Sequence, residues 1–404
     1  MGKIFPFVQT EIFSMSRILI LFLFSLLIFK SLQAQTILTK EEAVNLALNN
    51  QRNIRSAQLS VTQQQQLARG IAGLDNPQIT AEASPYEPLL LGVEQTFNLP
   101  GVYRSRKALQ NERIRLAQLQ LQGSQYDLKR EVRLSFLQLQ YFTERIRLFT
   151  FQDSVYQAIK ISSKRFFEAG QINKLEELTA TTQADKVRND LERAKADLAA
   201  EKQIFRFYTT YNDSVIVDSI ETYVFLTGAD TVTNNIQQQI LQQQISIAQR
   251  DLQVQRAELL PQISAGLLFP TTKQYERPIG YQAGISIPLW RRQNRSRIAA
   301  GQTAIEIVQA QQALEVQRLN ASYRQALTNL SRELQSLNYY NTVALPQSRA
   351  MIETSQRLFQ GGELNYIESL RNLITAFEIQ TDHLETHRAY NESIINLTYL
   401  NGTL

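Results

Sequence analysis

Ala180, Ala184, Val187, Leu191, Ala194 and Leu198 recur at spacings of four and three. That period of 3.5 is a coiled-coil seam, and its small residues predict closely packed helices. Upstream, Val132, Leu139 and Ile146 form one heptad series, and Leu121, Leu128, Phe142 and Phe149 a second. No proline interrupts the chain from Gly101 to about Glu168. Those roughly 67 residues at 1.5 Å each predict a helix of about 100 Å. A helix that long persists only if it is packed along its whole side. The period changes to two at residues 77–100 and 261–288. Ile79, Ala81 and Ala83 alternate with Gln78, Thr80 and Glu82, and Val93, Gln95, Phe97 and Leu99 alternate with Glu94, Thr96 and Asn98. Ile263, Ala265, Leu267 and Phe269 form a third run, and Tyr281, Ala283, Ile285 and Ile287 a fourth. These runs predict two β-hairpins, each with one apolar face, the second long enough to cross a bilayer and the first shorter or less regular.

The order of elements occurs twice. Residues 165–178, RFFEAGQINKLEEL, and residues 357–370, RLFQGGELNYIESL, match at a constant offset of 192, with six of fourteen positions identical. The shared residues include Arg165/Arg357, Phe167/Phe359, Gly170/Gly362, Asn173/Asn365 and Glu176/Glu368. A glycine between two helical runs marks a helix end that needs positive φ, so each copy reads as the tip of a helical hairpin. The first repeat then spans 35–208 with its tip near 168–173. Residues 209–233 form a linker with a short strand at 214–217. The second repeat spans 234–404 with its tip near 360–365. Thr39 and Glu42 form a capping box that opens a helix running to Gly70, and Pro346 bends or interrupts the second long helix.

Targeting changes the picture more than composition does. Residues 15–34 place Arg17 before an apolar run from Ile18 to Ile28 and end in Leu32-Gln33-Ala34. That is a secretory signal peptide, covering 1–34 with Met15 a possible start, and it puts the mature chain outside the inner membrane. With no cysteine, disulfides, thiolate sites and a lipidated N-terminal cysteine are excluded. A net charge of +5 spread along helices gives weak support for nucleic-acid binding. No nucleophile elbow, phosphate loop or HExxH motif is present, so neither an enzyme nor a cofactor is expected. His383 and His387 are the only histidines, spaced four apart. They read as structural, because two helical ligands make a poor metal site and the repeat offset puts His383 on the packing seam.

Four one-sided strands cannot close a barrel alone, so lipid-facing strands require several copies. Signal peptide, LTKEEAVNLALNN at residues 38–50, hairpin, long helix, tip, return helix and then the whole order again resemble the TolC-like outer-membrane efflux proteins. LGVEQTFNLPGVYRSR and ISIPLWRRQNRSRIAA are similar to the heavy-metal branch. The resemblance implies a mainly α fold with a β-barrel contribution: a homotrimer with a 12-stranded barrel in outer-membrane lipid and a periplasmic helical tunnel. It also implies a passive exit duct of a tripartite efflux or type I secretion system, docked on a periplasmic adaptor and an inner-membrane pump. Arg165, Phe167, Gly170, Asn173, Arg357, Phe359, Gly362 and Asn365 become docking-tip candidates. Glu176 and Glu368, six residues after each glycine, become tunnel-constriction candidates, with Arg371 a partner for Glu368. The alternative for both acids is an ordinary first-turn role favoured by the helix dipole. Trp290, Tyr103 and Phe97 are candidates for an aromatic belt, with ordinary packing as the alternative. The competing function is a periplasmic coiled-coil adaptor or structural protein, which needs no lipid-facing strands.

Overall fold

The computed structural model describes residues 38–71, 73–84, 87–211, 216–225, 232, 235–271, 279–289, 291–360, 363 and 365–404. The signal peptide, Gly362, Leu364, Trp290, Pro85-Tyr86 and the hairpin loop with Lys273, Glu276, Arg277 and Pro278 lie outside them. Thr39 caps α1 (Lys40–Asn50), with both capping-box bonds to Glu42 formed. The chain turns at Gln51 and restarts as α2 (Arg52–Gly70). The single helix expected from Thr39 to Gly70 is therefore two. Gln51 is extended, its Oε1 accepts from Arg52 N, and its Nε2 donates to Phe207 O at 3.1 Å.

Two strands follow, β1 (Gln78–Ser84) and β2 (Glu87–Phe97). Pro100 then sits in the first turn of α3 (Pro100–Glu168), where its missing N–H costs nothing. At 69 residues α3 is about 100 Å long, as its heptads predict. After the first tip, α4 (Lys174–Thr209) returns with Ala180, Ala184, Val187, Leu191 and Ala194 buried along its seam. The second half repeats the order with α5 (Ile236–Ala257), β3 (Gln262–Pro270) and β4 (Gly280–Ser286). Then come α6 (Arg291–Tyr339), a π-helical turn at Tyr340–Ala344, α7 (Leu345–Gln360) and α8 (Tyr366–Asn401). Pro346 cannot donate to the carbonyl four residues back and would crowd it. The extra residue of the π turn absorbs that conflict, so the helix continues past the proline.

The four strands form one antiparallel sheet in the order β1-β2-β3-β4. β2 and β3 are 11 and 9 residues long, β1 and β4 seven each. The length difference expected between hairpins falls instead between central and edge strands, because β1 and β4 have a partner on one side only. Below the sheet, α3 packs against α2 and α5, and α5 against α6. Further along, the neighbours of α3 become α4 and α8, and α8 packs on α6 and α7. Each level is thus a row four elements wide and one element thick: β1 to β4, then α2-α3-α5-α6, then α4-α3-α8 with α6 and α7. Between the two helical levels the described linker segment, 216–225, is strapped onto α8. Buried Asn391 accepts from Tyr223 N at 2.9 Å and donates to Glu221 O at 2.6 Å. A parallel bridge ties Leu38 to Val217.

Candidate functional site

Two surfaces carry the functional chemistry, the sheet at one end and the hairpin tips at the other. Residues directly opposite in an antiparallel pair project to the same face. The register pairs Ile79 with Val93, Ala81 with Leu91, Val93 with Leu267, Phe97 with Ile263, Ala265 with Ala283 and Ile263 with Ile285. The paired apolar residues of the alternation therefore share one face, on which Gln95 is the polar exception. That face is open: Ile79 is 81% exposed, Tyr281 87% and Ile285 69%. The opposite face carries Gln78, Thr80, Glu82, Glu94, Thr96, Ser264, Gln282 and Ser286 with glycines between them, and at its far end Leu90, Leu268 and Pro270. At Gly266 a Cβ would lie 2.9 Å from Val93 O, so the strands crowd on this polar side. Phe97 lies on the exposed apolar face. Tyr103 accepts from Asn98 N at 3.3 Å and fastens the strand-to-helix turn instead.

At the first tip Gly170 has φ +71°, and Gln171 N donates to Phe166 O at 2.8 Å, which closes a Schellman turn. Glu363 N donates to Leu358 O at 3.0 Å, the same bond 192 residues on. Asn173 and Asn365 are the N-caps of the return helices, accepting from Glu176 N and Glu368 N at 3.0 and 2.9 Å. Glu176 completes a capping box through Asn173 N at 2.9 Å, while Glu368 is exposed. Arg165 and Arg371 are exposed, and Arg357 pairs with Glu353 at 3.2 Å. Lys174 stands over the Phe167 ring at 5.0 Å and pairs with Glu177.

Of the residues that join the two tips, Phe359 was a candidate, but Phe166 and Tyr366 were not. Phe166 and Tyr366 meet Phe359 with ring centroids 6.0 and 6.1 Å away. Tyr366 donates to Ile159 O at 3.2 Å, and burial pushes its phenol up to about 12. Tyr366 occupies the position of Lys174 in the other repeat, so attention to identical pairs passes over it. A cleft of ≈430 Å³ opens beside this cluster, lined by Val155, Ile159, Phe359, Tyr366, Leu370 and Leu373. His383 and His387 lie farther up α8. Their Nε2 atoms are 3.0 Å from Asn341 Oδ1 and Thr222 Oγ1, two partners on different elements. Burial chiefly, then His387 and Arg349, holds His383 down at about 4, and burial lowers His387 as well. No cluster of three or more metal-ligating side chains occurs among the described residues. No described helix is long and apolar enough to cross a membrane.

No protein-family model matches this sequence, and no curated protein does. Solved structures do. The outer-membrane channel OprN aligns over 90% of each chain with a TM-score of 0.78 at 14% identity. CusC, studied for conformational changes accompanying folding and transmembrane channel formation, covers 90% of this chain and 91% of its own at TM-score 0.76 and 14% identity. The CmeC outer-membrane channel of Campylobacter jejuni covers 90% and 86% at TM-score 0.75 and 11% identity. At these identities the likeness is one of fold. The chain has the TolC-like fold: long helical hairpins and a four-stranded antiparallel sheet in one duplicated chain.

Proposed function

We propose that this protein is an outer-membrane channel and a passive exit duct. The observation that carries the proposal is the open apolar face of the sheet. A soluble protein would cover Ile79, Tyr281, Ile285 and their neighbours, whereas lipid covers them at no cost. A barrel must be closed, and one chain supplies β1 and β4 as unpaired edges. The helical rows end the same way. Exposed Leu59 and Leu67 lie on α2 and exposed Ile307 and Leu314 on α6, the two flanks of the upper row. Leu175 and Leu178 are exposed on α4, a flank of the lower row. Joining the β4 flank of one copy to the β1 flank of the next closes a ring at every level. Three copies supply twelve strands and twelve helices per level.

In this reading the tips reach across the periplasm to an adaptor and an inner-membrane pump of an efflux or type I secretion system. Arg165, Phe167, Gly170, Asn173, Arg357, Phe359, Gly362 and Asn365 form the docking surface. Glu176 and Glu368 surround the tunnel mouth, where Arg371 holds Glu368 in the closed state. No catalytic chemistry is involved, because the pump selects and drives the cargo. The apolar sheet face disfavours the periplasmic adaptor alternative. Fractionation followed by planar-bilayer recording tests the choice. The channel reading requires the chain in the outer-membrane fraction and discrete conductance steps from purified trimers. A soluble periplasmic product without conductance would reject it.

A further inference from the structure

The positive charge of this chain is gathered at one level. Residues 98–118, which open α3, hold Arg104, Arg106, Lys107, Arg113 and Arg115 against one acid, Glu112. Residues 287–300, which open α6, hold Arg291, Arg292, Arg295 and Arg297 against none. The whole chain is only +5, so everything outside these two stretches is net negative. Helix stability does not account for Arg292 in the first turn of α6, while Arg104 to Arg115 lie beyond the first turn of α3, where the dipole has little effect. The positive end of the helix dipole disfavours bases at a start and favours acids. α1, α4 and α8 follow that rule with Glu41 and Glu42, Glu176 and Glu177, and Glu368 in their first turns. α3 and α6 have no acid there, and neither do α2 and α5.

Internal pairing uses only part of this charge. Arg106 and Arg297 share Glu258 at 2.9 and 3.7 Å, and Glu112 is taken by Arg250 at 3.8 Å. Arg104, Lys107 and Arg115 fall on one stripe of α3 and are exposed. That stripe is separate from Arg106, Gln110 and Glu112, which bond to the neighbouring helices. Arg292 and Arg295 are exposed one turn apart on α6. Both groups begin where the apolar sheet face ends. Phe97 lies seven residues before Arg104, and exposed Ile287 and Leu289 run directly into the α6 arginines.

Resting on the membrane reading above, we infer that this belt binds the phosphates of anionic phospholipids in the leaflet that adjoins the helices. An apolar band followed at once by exposed cations matches the order of acyl chains and headgroups. Long basic side chains reach headgroup phosphates while their stems stay on apolar surface. Closure of the trimer repeats both helix starts around the duct.

The sequence supplies its own probe, because its single tryptophan, Trp290, adjoins Arg291. The full-length protein is reconstituted in phosphatidylcholine vesicles in which either phosphatidylglycerol or an equal fraction of the phosphatidylcholine is brominated near the headgroup. Preferential quenching of Trp290 by the brominated anionic lipid is expected, with about fivefold preference, the factor given by roughly 1 kcal/mol for a headgroup held by one basic residue. In about 0.5 M salt, where the Debye length falls to roughly 4 Å, the preference should vanish. A variant with Arg104→Gln, Lys107→Gln, Arg115→Gln, Arg292→Gln and Arg295→Gln should insert and lose the preference. Equal quenching of the wild type by both lipids would overturn the inference while leaving the membrane reading intact. Quenching by neither lipid would defeat the membrane reading, and the inference with it. A variant that keeps the lipid preference but changes the ion selectivity of the duct would place these cations in the lumen and overturn the assignment.

Discussion

Gly170 has open space around its α-carbon, so the demand for glycine there comes from its φ of +71° alone. Gly170→Val is expected to destabilise the tip by about 1–3 kcal/mol through backbone strain. Gly170→Asn, which tolerates left-handed backbone, should cost much less. Thermal melting of the purified protein and chemical cross-linking to the proposed adaptor read the two effects. A valine variant that melts and cross-links like wild type would remove Gly170 from the proposed docking surface. A second residue-scale expectation concerns pH. His383 is held at about 4 against an unfolded value near 6.5. Between those values the unfolded chain binds the extra proton. Stability is therefore full above about pH 6.5, falls as the pH drops through that window, and levels off below about 4. Urea unfolding at several pH values should show this slope, reduced in His383→Asn; an unchanged slope would show that His383 does not contribute. At this scale the sequence reveals the capping residues Thr39, Asn173 and Asn365, because caps are local. It does not distinguish Phe166 from Phe167. Adjacent positions point about 100° apart, and only the neighbouring hairpin decides which one is covered.

Among the elements, the long helices and alternating strands are legible because each layer is one element thick. A wall with two wet or lipid-facing sides keeps a strict period. The break at Gln51 is not legible, since one of its bonds reaches Phe207, 156 residues away. Pro346 announces a disturbance, but the π turn that accommodates it depends on packing against α8. The linker shows the same limit: Asn391 is an unremarkable helical position until it meets Glu221 and Tyr223. Asn391→Leu removes both bonds from a fully buried side chain, and Tyr223 N loses its partner at about 1–3 kcal/mol, whereas Glu221 O keeps its bond to His387. The expected result is a lower melting temperature and early proteolysis within 216–225. A variant as stable and as protease-resistant as wild type would show that the strap is held by something else.

For the whole molecule, the facing of the sheet decides whether the channel reading stands. Ile285→Asp puts a charge on the apolar face. The worst charges cost about 2–4 kcal/mol at the midplane, and Asp less. The variant should therefore accumulate outside the membrane, and normal membrane assembly would reverse the facing.

The most direct test of ring closure exploits the lack of cysteine. Within one chain β1 and β4 are separated by two strands, so they stand about 14 Å apart. A disulfide needs Cα atoms within about 7 Å, which leaves only a bond between copies. Ala81→Cys is combined in turn with Tyr281→Cys, Ala283→Cys and Ile285→Cys, all on the same face. Oxidised membranes are then separated on denaturing gels. At least one pair should give covalent species that stop at three chains and collapse to one on reduction. The absence of any cross-link, or a ladder that continues past three, would contradict closure of a trimeric barrel through β4 and β1.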